Sequence, residues 1–414
     1  MDFTPDTITI MSYMMKSFKH FYKKNTPEKQ QEMDTILKEI YKTIKKSETD
    51  IILLKKHQEV NKVVKEGTIL YLRENSLFKS NFIPDSIREH IISNFVGEVI
   101  YNCKIGNRKL KITFYLMNNK DYSKLNKINN IFDRLLLIYV FLTKFSDIKC
   151  NKTLDVKIFL TDIKKMLPYS SIKTLGPIHA NTAVTTSCQE NGEIIIYRQE
   201  ELVKVFIHEC IHSLGLDWFE MNLSPLKSKL KEIFKINSEM KVSESYTEFW
   251  ACILNCCFTA YLLNNKNIEE YLLFSEYCIQ FEQMFSLFQM AKILRLMGIH
   301  YRSLYENDKL SVQSQKYLYR EKTNIFAYYI LKTILLYNAS SFMKFCKKSN
   351  DNILNMEVTD KNMNKLFDFI NFHYKKPNFL KDISNMYLFV KNIPKKRKND
   401  FILRTSRMTA IELI

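Results

Sequence analysis

Glycine is scarce in this chain, with 7 glycines in 414 residues, and Arg/Gly-rich tracts are absent. The sequence contains neither an internal repeat nor a low-complexity linker, so a repeat architecture is not expected. The longest apolar runs, such as residues 135–142, are far shorter than the roughly 20 residues of a membrane-spanning helix. Residues 1–6 lack a basic stretch and a cleavage site, so we expect no signal peptide.

Cysteine is present without the spacing typical of a disulfide framework or a metal knuckle. The nine cysteines are an odd number, and no C-x-x-C pair occurs. Cys252, Cys256 and Cys257 share one helical run, and Cys210 lies in another apolar segment. We therefore expect free thiols in an intracellular reducing compartment, the cytoplasm or a virion. A second, cysteine-bound metal ion is disfavoured.

The residues that abound say more about the genome than about the fold. Lys, Asn, Ile, Phe and Tyr are frequent, which is typical of an AT-rich genome such as that of a large DNA virus or a parasite. A hydrophobic content of 46% is ordinary for a globular protein. The chain is long enough for two or three domains.

The formal net charge is +18, but the lysines are scattered along the whole chain. We interpret this charge as a solvated surface with non-specific attraction to polyanions, since no nucleic-acid-binding motif accompanies it. The basic run at residues 394–398 resembles a nuclear import signal, although a solvated loop is the favoured interpretation. A nucleic-acid-binding protein remains an alternative, and it predicts salt-dependent binding through a basic patch.

A pattern with specific chemistry lies in residues 201–215, which contain His208-Glu209-x-x-His212. Two histidines four positions apart lie one turn from each other on one helix face, where they can bind one metal ion. Zinc held by two imidazoles keeps room for a water, and Glu209 can take the proton of that water. Gly215 predicts the end of the helix. The alternative is a core helix whose histidines bond to neighbouring residues.

The third ligand comes from a later segment. The pattern H-E-x-x-H-x-x-G-x-x-H is disfavoured, because Asp217 stands one place before the required position and residue 218 is Trp. A second apolar helix at residues 243–251 carries Glu244 and Glu248 one turn apart. Glu244 can bind the metal, and Glu248 can accept a hydrogen bond from a ligand histidine. The alternative is two solvated glutamates at a helix end.

The motifs HECIH and ESYTE together resemble those of the gluzincin zinc metallopeptidases, the group of thermolysin, neprilysin and anthrax lethal factor. The resemblance covers roughly residues 95–260. It implies one zinc ion, with Glu244 as the third ligand and Glu248 as the acidic residue that supports a ligand histidine. The E-x-aromatic-x-E form is closest to that of lethal factor, and Glu248 departs from the neprilysin pattern, which has Asp there.

Strand and helix patterns surround the first motif. A hairpin is predicted at residues 98–116 with a Gly106-Asn107 turn, a helix at 126–145, and strands at 156–160 and 192–197. This order matches the α+β, zincin-like catalytic domain that the resemblance implies, with a small twisted mixed sheet, an active-site helix and a helical lower lobe. We predict this domain at residues 96–300. Helical regions are predicted at 1–95, including a helix over 50–64, and at 301–414.

The resemblance also implies an edge strand that pairs with the substrate backbone and a group that stabilises the oxyanion. Residues 178–186 are predicted to be extended, although a structural or surface role for His179 is equally compatible with the sequence. The possible substrate-binding residues are His179, Ala180, Asn181 and Thr182. The possible oxyanion stabilisers are His300 and Tyr301.

The sequence therefore predicts a zinc-dependent endopeptidase that acts on a protein or peptide substrate. His208, His212 and Glu244 bind the zinc ion, Glu209 is the general base, and Glu248 orients a ligand imidazole. The alternative is a non-enzymatic structural or partner-binding protein on a zincin scaffold, which the large helical flanks favour because they have no evident catalytic use.

Overall fold

The chain forms two compact units in a computed structural model. The first unit comprises Met1–Leu37, Met166–Ala180 and Glu220–Ile414, and the second comprises Lys38–Lys165 and Asn181–Phe219. The division into three consecutive regions, with boundaries at residues 95–96 and 300–301, stays a prediction. The structure describes residues 2–18, 26–57, 59–65, 69–118, 123, 125–170, 173–218, 222–264, 267–350, 352–357 and 359–413.

The second unit contains a six-stranded mixed sheet with the order β1-β2-β3-β4-β6-β5. The pairs β3–β4 and β4–β6 are parallel, and the other three pairs are antiparallel. Together with the helices, this sheet confirms the α+β class. The strands are β1 (Val60–Lys65), β2 (Gly97–Ile105), β3 (Arg108–Leu116), β4 (Thr153–Phe159), β5 (Ala183–Thr185) and β6 (Asn191–Ile196).

The hairpin of β2 and β3 is confirmed at the predicted place. Ile105 pairs with Arg108 across the turn, where Gly106 has a φ of 56°. This left-handed conformation is one that glycine adopts without steric cost. The alternate side chains Leu110, Ile112 and Phe114 are buried, as the period of two along a strand predicts.

Helices make up most of the remaining structure. None of those in the described ranges combines the length and apolar character needed to cross a membrane. They are α1 (Pro5–Ser17), α2 (Pro27–Lys56), α3 (Asp85–Asn94), α4 (Leu125–Thr143), α5 (Pro177–Ala180), α6 (Leu202–Ser213), α7 (Ser224–Ile233), α8 (Val242–Leu263), α9 (Ile268–Met297), α10 (Lys309–Gln313), α11 (Lys332–Tyr337), α12 (Ala339–Ser349), α13 (Asp360–His373), α14 (Pro377–Asn392) and α15 (Asp400–Arg404).

The predicted helix over residues 50–64 is wrong in its second half. Helix α2 ends at Lys56, and Val60–Lys65 form strand β1, which pairs antiparallel with β2. The valines in this stretch continue the apolar spacing of α2, but β-branched side chains favour a strand. Pairing with β2, which is distant in sequence, decides the outcome.

In the first unit, α9 packs against α8, α11 and α14. The C-terminal segment, residues 405–412, lies beside these helices and is largely buried. One oxygen of Glu282, on α9, accepts hydrogen bonds from the backbone N–H groups of Ala410 (2.8 Å) and Ile411 (3.0 Å). Lys332 donates to the carbonyl of Met408 at 3.0 Å. Polar side chains of the helices thus take the place of strand partners for this segment.

A disulfide joins Cys150 and Cys188, so the expectation of free thiols throughout is wrong for this pair. The parallel register of β4 and β6 explains it, because Thr153 lies opposite Asn191 and each cysteine precedes its strand by three residues. Spacing along the sequence did not reveal this pair, since the two strands meet only in the folded sheet. The remaining seven cysteines are buried thiols outside this disulfide.

Candidate metal centre

Helix α6 carries the HECIH motif in the interior of the second unit. It packs against α4 and against strands β5 and β6. Its end follows the prediction, since Gly215 adopts a φ of 66° and the backbone N–H of Leu216 reaches the carbonyl of Ile211 at 2.9 Å. A glycine at this position ends the helix and redirects the chain back along it.

The two histidines of the motif direct the same ring atom toward one point. The Nε2 atoms of His208 and His212 lie 3.1 Å apart. Both side chains are buried, with 6% and 8% of their surface exposed. Neither ring points into bulk solvent. The spacing of four residues places both rings on one face of the helix, as the sequence predicted.

Asp217 holds the ring of His212 in one tautomer. Its Oδ2 atom lies 2.6 Å from Nδ1 of His212, and both groups are buried. A carboxylate accepts a hydrogen bond from Nδ1–H, so in the neutral ring Nε2 of His212 carries the lone pair and presents it to His208. The turn at Gly215 brings Asp217 back to the helix. The sequence placed Asp217 only as a misplaced third ligand and missed this role, for which an acidic residue just beyond the helix-ending glycine is the signal.

Glu209 occupies the position between the histidines where the motif requires a carboxylate. It is buried, with 8% of its surface exposed. The neighbouring Cys210 is also inaccessible, and its burial, together with the charge of Glu209, raises the pKa of the thiol well above its ordinary value. Cys210 therefore stays a neutral thiol at physiological pH.

The start of α6 is fixed by buried charges. Glu201 precedes the helix in a left-handed conformation, with a φ of 61°, and forms an ion pair with the ammonium group of Lys165. The backbone N–H of Lys165 donates to the carboxylate of Glu200 at 2.7 Å. Burial lowers the pKa of Lys165, and the facing carboxylates oppose that shift. This pairing sets where the first turn of the helix lies.

The other end of α6 is tied to the sheet through Ser213. The side-chain amide of Asn151 donates to the Ser213 hydroxyl at 2.8 Å. Asn151 follows the disulfide cysteine Cys150 and has a φ of 56°, a conformation that asparagine tolerates better than most residues. The α6 helix is thus fixed on both sides of its histidine pair.

The edge strand is shorter than predicted and begins later. Residues 177–180 form the short helix α5, so His179 and Ala180 are not extended, and Nδ1 of His179 accepts a hydrogen bond from the backbone N–H of Gly176. Asn181 and Thr182 precede β5, which lies at the edge of the sheet. Pro177 explains the difference, since proline is favoured at the first position of a helix.

Arg198 fixes the segment that leads into β5. Its guanidinium donates to the carbonyls of Asn181 (3.2 Å) and Ile163 (3.0 Å), and the residue is fully buried. Burial lowers its pKa, but an arginine remains charged at any physiological pH. The approach to the edge strand is therefore held by a buried charge.

Glu244 and Glu248 belong to the first unit and lie near the start of α8. Asn324 donates from its side-chain amide to Oε1 of Glu244 at 3.2 Å, which orients this carboxylate. Glu248 is buried, with 1% of its surface exposed, so it is not the solvated glutamate of the alternative interpretation. The sequence contains no signal that singles out Asn324.

His300 and Tyr301, which the sequence offered as oxyanion stabilisers, make other contacts in the first unit. The hydroxyl of Tyr301 donates to the carbonyl of Tyr374 at 2.8 Å. The ring of His300 is exposed and lies against Tyr387, with ring centroids 4.3 Å apart. The Tyr301 hydroxyl has one proton, and that proton is used in the hydrogen bond to Tyr374.

Comparison with known proteins gives little. No protein-family model matches the chain, and no solved structure matches it significantly. An uncharacterized protein of Acanthamoeba polyphaga mimivirus is 27% identical over 183 residues. That stretch is 44% of this chain and 44% of the mimivirus protein, so the chain spans less than half of the relative it matches.

Proposed function

We propose that the protein is a zinc-dependent endopeptidase with a zincin-like catalytic domain of the gluzincin type. The observation that carries the proposal is the convergence of the two Nε2 atoms, 3.1 Å apart, with Asp217 on the outer nitrogen of His212. In the metal-free protein one Nε2–H can donate to the other Nε2, and the same separation suits two imidazoles that bind one zinc ion.

The donor set suits zinc. His208, His212 and Glu244 offer one ligand atom each, two imidazole nitrogens and one carboxylate oxygen. Zinc sites in hydrolases keep three protein ligands and one open position. Glu244 is assigned here from the ESYTE motif, and its hydrogen bond from Asn324 is the kind of outer contact that holds a ligand carboxylate in place. A bound zinc ion would polarise a water molecule and the carbonyl of the scissile peptide bond.

The residues of the chain then carry the proton transfers. Glu209 accepts the proton of the attacking water and delivers it to the nitrogen of the leaving amine. Asp217 keeps His212 in the tautomer that presents Nε2, and we assign Glu248 to the corresponding task for a ligand imidazole, as the motif predicts. Glu209 is suited to this role by its position on α6 next to His208 and by its burial.

Strand β5 supports a peptide substrate. It pairs with β6 on one side, and no strand of the described chain pairs with its other side. An extended peptide can add to such an edge through main-chain hydrogen bonds, which requires no particular side chains. The prediction of a protein or peptide substrate is therefore retained, with the binding strand moved to Ala183–Thr185.

Metal content tests the ligand assignment. Zinc is measured by elemental analysis in the wild type, in His212→Ala and in Glu244→Ala, with Glu239→Ala as a control carboxylate whose side chain is 75% exposed. We expect near-stoichiometric zinc in the wild type and the control, and a sharp loss in the two ligand variants. A wild-type protein that takes up no zinc would refute the proposal.

Glu209→Gln tests the chemistry separately. This change keeps the shape of the side chain but removes the base, so zinc content should be unchanged while peptide hydrolysis falls by about 10²- to 10⁴-fold. Cleavage of a peptide library, read by mass spectrometry, measures the loss. Bound zinc with no hydrolysis in the wild type would instead favour the non-enzymatic, partner-binding alternative.

A further inference from the structure

The first unit contains a cavity of about 860 Å³ whose wall is strongly basic. This volume lies in the range of pockets that hold small organic ligands. Among the described residues that line it, Asp400 is the only acidic one. The basic residues of the wall are Lys292, Arg295, Lys395, Lys396, Arg397 and Arg404.

Three of these cations are committed to the protein itself. Lys292 donates to the carbonyls of Ile402 and Thr405, and its burial lowers the pKa of its ammonium group well below the ordinary value. Arg295 bonds to a backbone carbonyl of α14, and Arg404 donates to the carbonyl of Leu167 at 3.0 Å. These side chains build the wall and hold its shape.

The other three cations come from the basic run that the sequence predicted to be a solvated loop. Lys395, Lys396 and Arg397 are exposed, and within the described part of the chain no ion pair or hydrogen bond engages their charged ends. Three uncompensated charges at one rim attract an anion of more than one charge. A ligand with a single carboxylate would leave the site with a net positive charge.

An aromatic ring stands at the same cavity. Tyr169 is 79% exposed, and the guanidinium of Arg404 lies 3.5 Å from the centre of its ring. Arg404 thereby covers one face of the ring and fixes its orientation, while the high exposure leaves the other face open. An open aromatic face beside lysine and arginine is the combination that binds a base and its phosphate together.

From this juxtaposition we infer that the cavity binds a nucleoside phosphate, with the phosphates at Lys395, Lys396 and Arg397 and the base stacked on Tyr169. The ligand is either a free nucleotide or one nucleotide of a single strand, since both offer the same groups. The inference does not depend on zinc binding or on peptide hydrolysis.

Binding is measured by fluorescence anisotropy with the full chain and two probes, labelled ADP and a labelled short oligothymidylate. In one variant Lys395, Lys396 and Arg397 are all replaced by Gln. Its control replaces Lys42, Lys45 and Lys46 by Gln, which removes the same charge from exposed positions of α2. Tyr169→Ala and Tyr169→Phe form a second matched pair.

We expect the rim variant to bind the preferred probe at least about 10-fold more weakly, and the control to stay within about 2-fold of the wild type. For the oligothymidylate, the slope of log affinity against log salt should fall by about 2, because each phosphate contact on a single strand contributes about 0.7. Tyr169→Ala should weaken binding about 5-fold or more, and Tyr169→Phe should bind as the wild type does.

Tighter binding of ADP than of the oligothymidylate would identify a free nucleotide as the ligand, and the reverse order would identify a single strand. Equal losses in the rim variant and its control would overturn the inference, because the attraction would then come from net charge. So would the failure of both probes to bind at low salt, or an unchanged affinity in Tyr169→Ala.

Discussion

Two regions of this molecule bury polar side chains, and they do so in different ways. Around Glu282, the carboxylate meets donors that the chain itself supplies, the backbone N–H groups of Ala410 and Ile411 and the hydroxyl of Thr409. On α6, the two histidines direct their Nε2 atoms at each other. The chain itself supplies three donors to one oxygen of Glu282, whereas our proposal places a metal ion between the two nitrogens on α6.

The difference shows how to interpret a buried polar group. Burying such a group costs free energy unless its hydrogen-bonding capacity is satisfied. Donors that the chain itself supplies, as at one oxygen of Glu282, indicate a structural role. Two imidazole nitrogens directed at one point, with an outer carboxylate fixing the tautomer of one ring, are what the proposed metal site requires.

Removal of Glu282 should show the largest effect on stability. In Glu282→Ala the N–H groups of Ala410 and Ile411 lose their acceptor, so the free energy of unfolding should fall by about 3 kcal/mol. Urea unfolding measures this change, with the exposed Glu270→Ala on the same helix as a control. Zinc affinity should not change. A loss under about 1 kcal/mol would mean that the C-terminal segment does not depend on this carboxylate.

Removal of Asp217 should lower the affinity for zinc, which removal of Glu282 leaves unchanged. In Asp217→Ala, His212 is free to adopt either tautomer, and zinc affinity should fall about 10- to 100-fold, or about 1.4 to 2.7 kcal/mol. Competition with a chelating dye measures the affinity, and Asp162→Ala, an exposed residue of the same unit, is the control. Unchanged affinity would show that Asp217 has only a packing role and that the contrast with Glu282 does not hold.

A third buried polar group, His373, provides the smallest effect. Burial among aromatic rings, with Lys376 and Lys29 nearby, lowers the pKa of His373 to about 4 from an ordinary value of 6.5. Below pH 6.5 the unfolded chain therefore binds a proton that the folded chain refuses. Its contribution to stability should be lost as the pH falls from about 6.5 to about 4.

The comparison of wild type with His373→Phe isolates this contribution. The aromatic replacement keeps the packing against Phe369 but cannot titrate. Between pH 7 and pH 5 the melting temperature should fall more in the wild type than in the variant. Parallel losses in the two proteins would show that His373 is not the group responsible.

Local patterns predicted the elements whose structure depends on neighbours in sequence. The hairpin at Gly106 and the helix that ends at Gly215 follow from turn and cap residues, and the His208–His212 geometry follows from helical spacing. The gluzincin type and the ligand role of Glu244 stay predictions, because they rest on the two motifs.

Features that depend on contacts between distant parts of the chain were not predicted from the sequence. Strand β1 exists because β2 pairs with it, and the Cys150–Cys188 disulfide exists because β4 and β6 share a register. Asp217 reaches His212 only through the turn at Gly215. In each case the partner is chosen by tertiary structure, which residue spacing does not record.

Gly192, at the start of β6, is a position where no side chain fits. A β-carbon there would overlap the side-chain oxygen of Asn151 and lie 3.1 Å from the hydroxyl of Ser213. These three residues therefore form one unit of substitution. A relative that keeps the Asn151–Ser213 hydrogen bond should keep glycine at this position, and one that carries alanine should have changed Asn151 as well. Joint variation at these positions would show how related proteins have changed the contact that holds the end of α6.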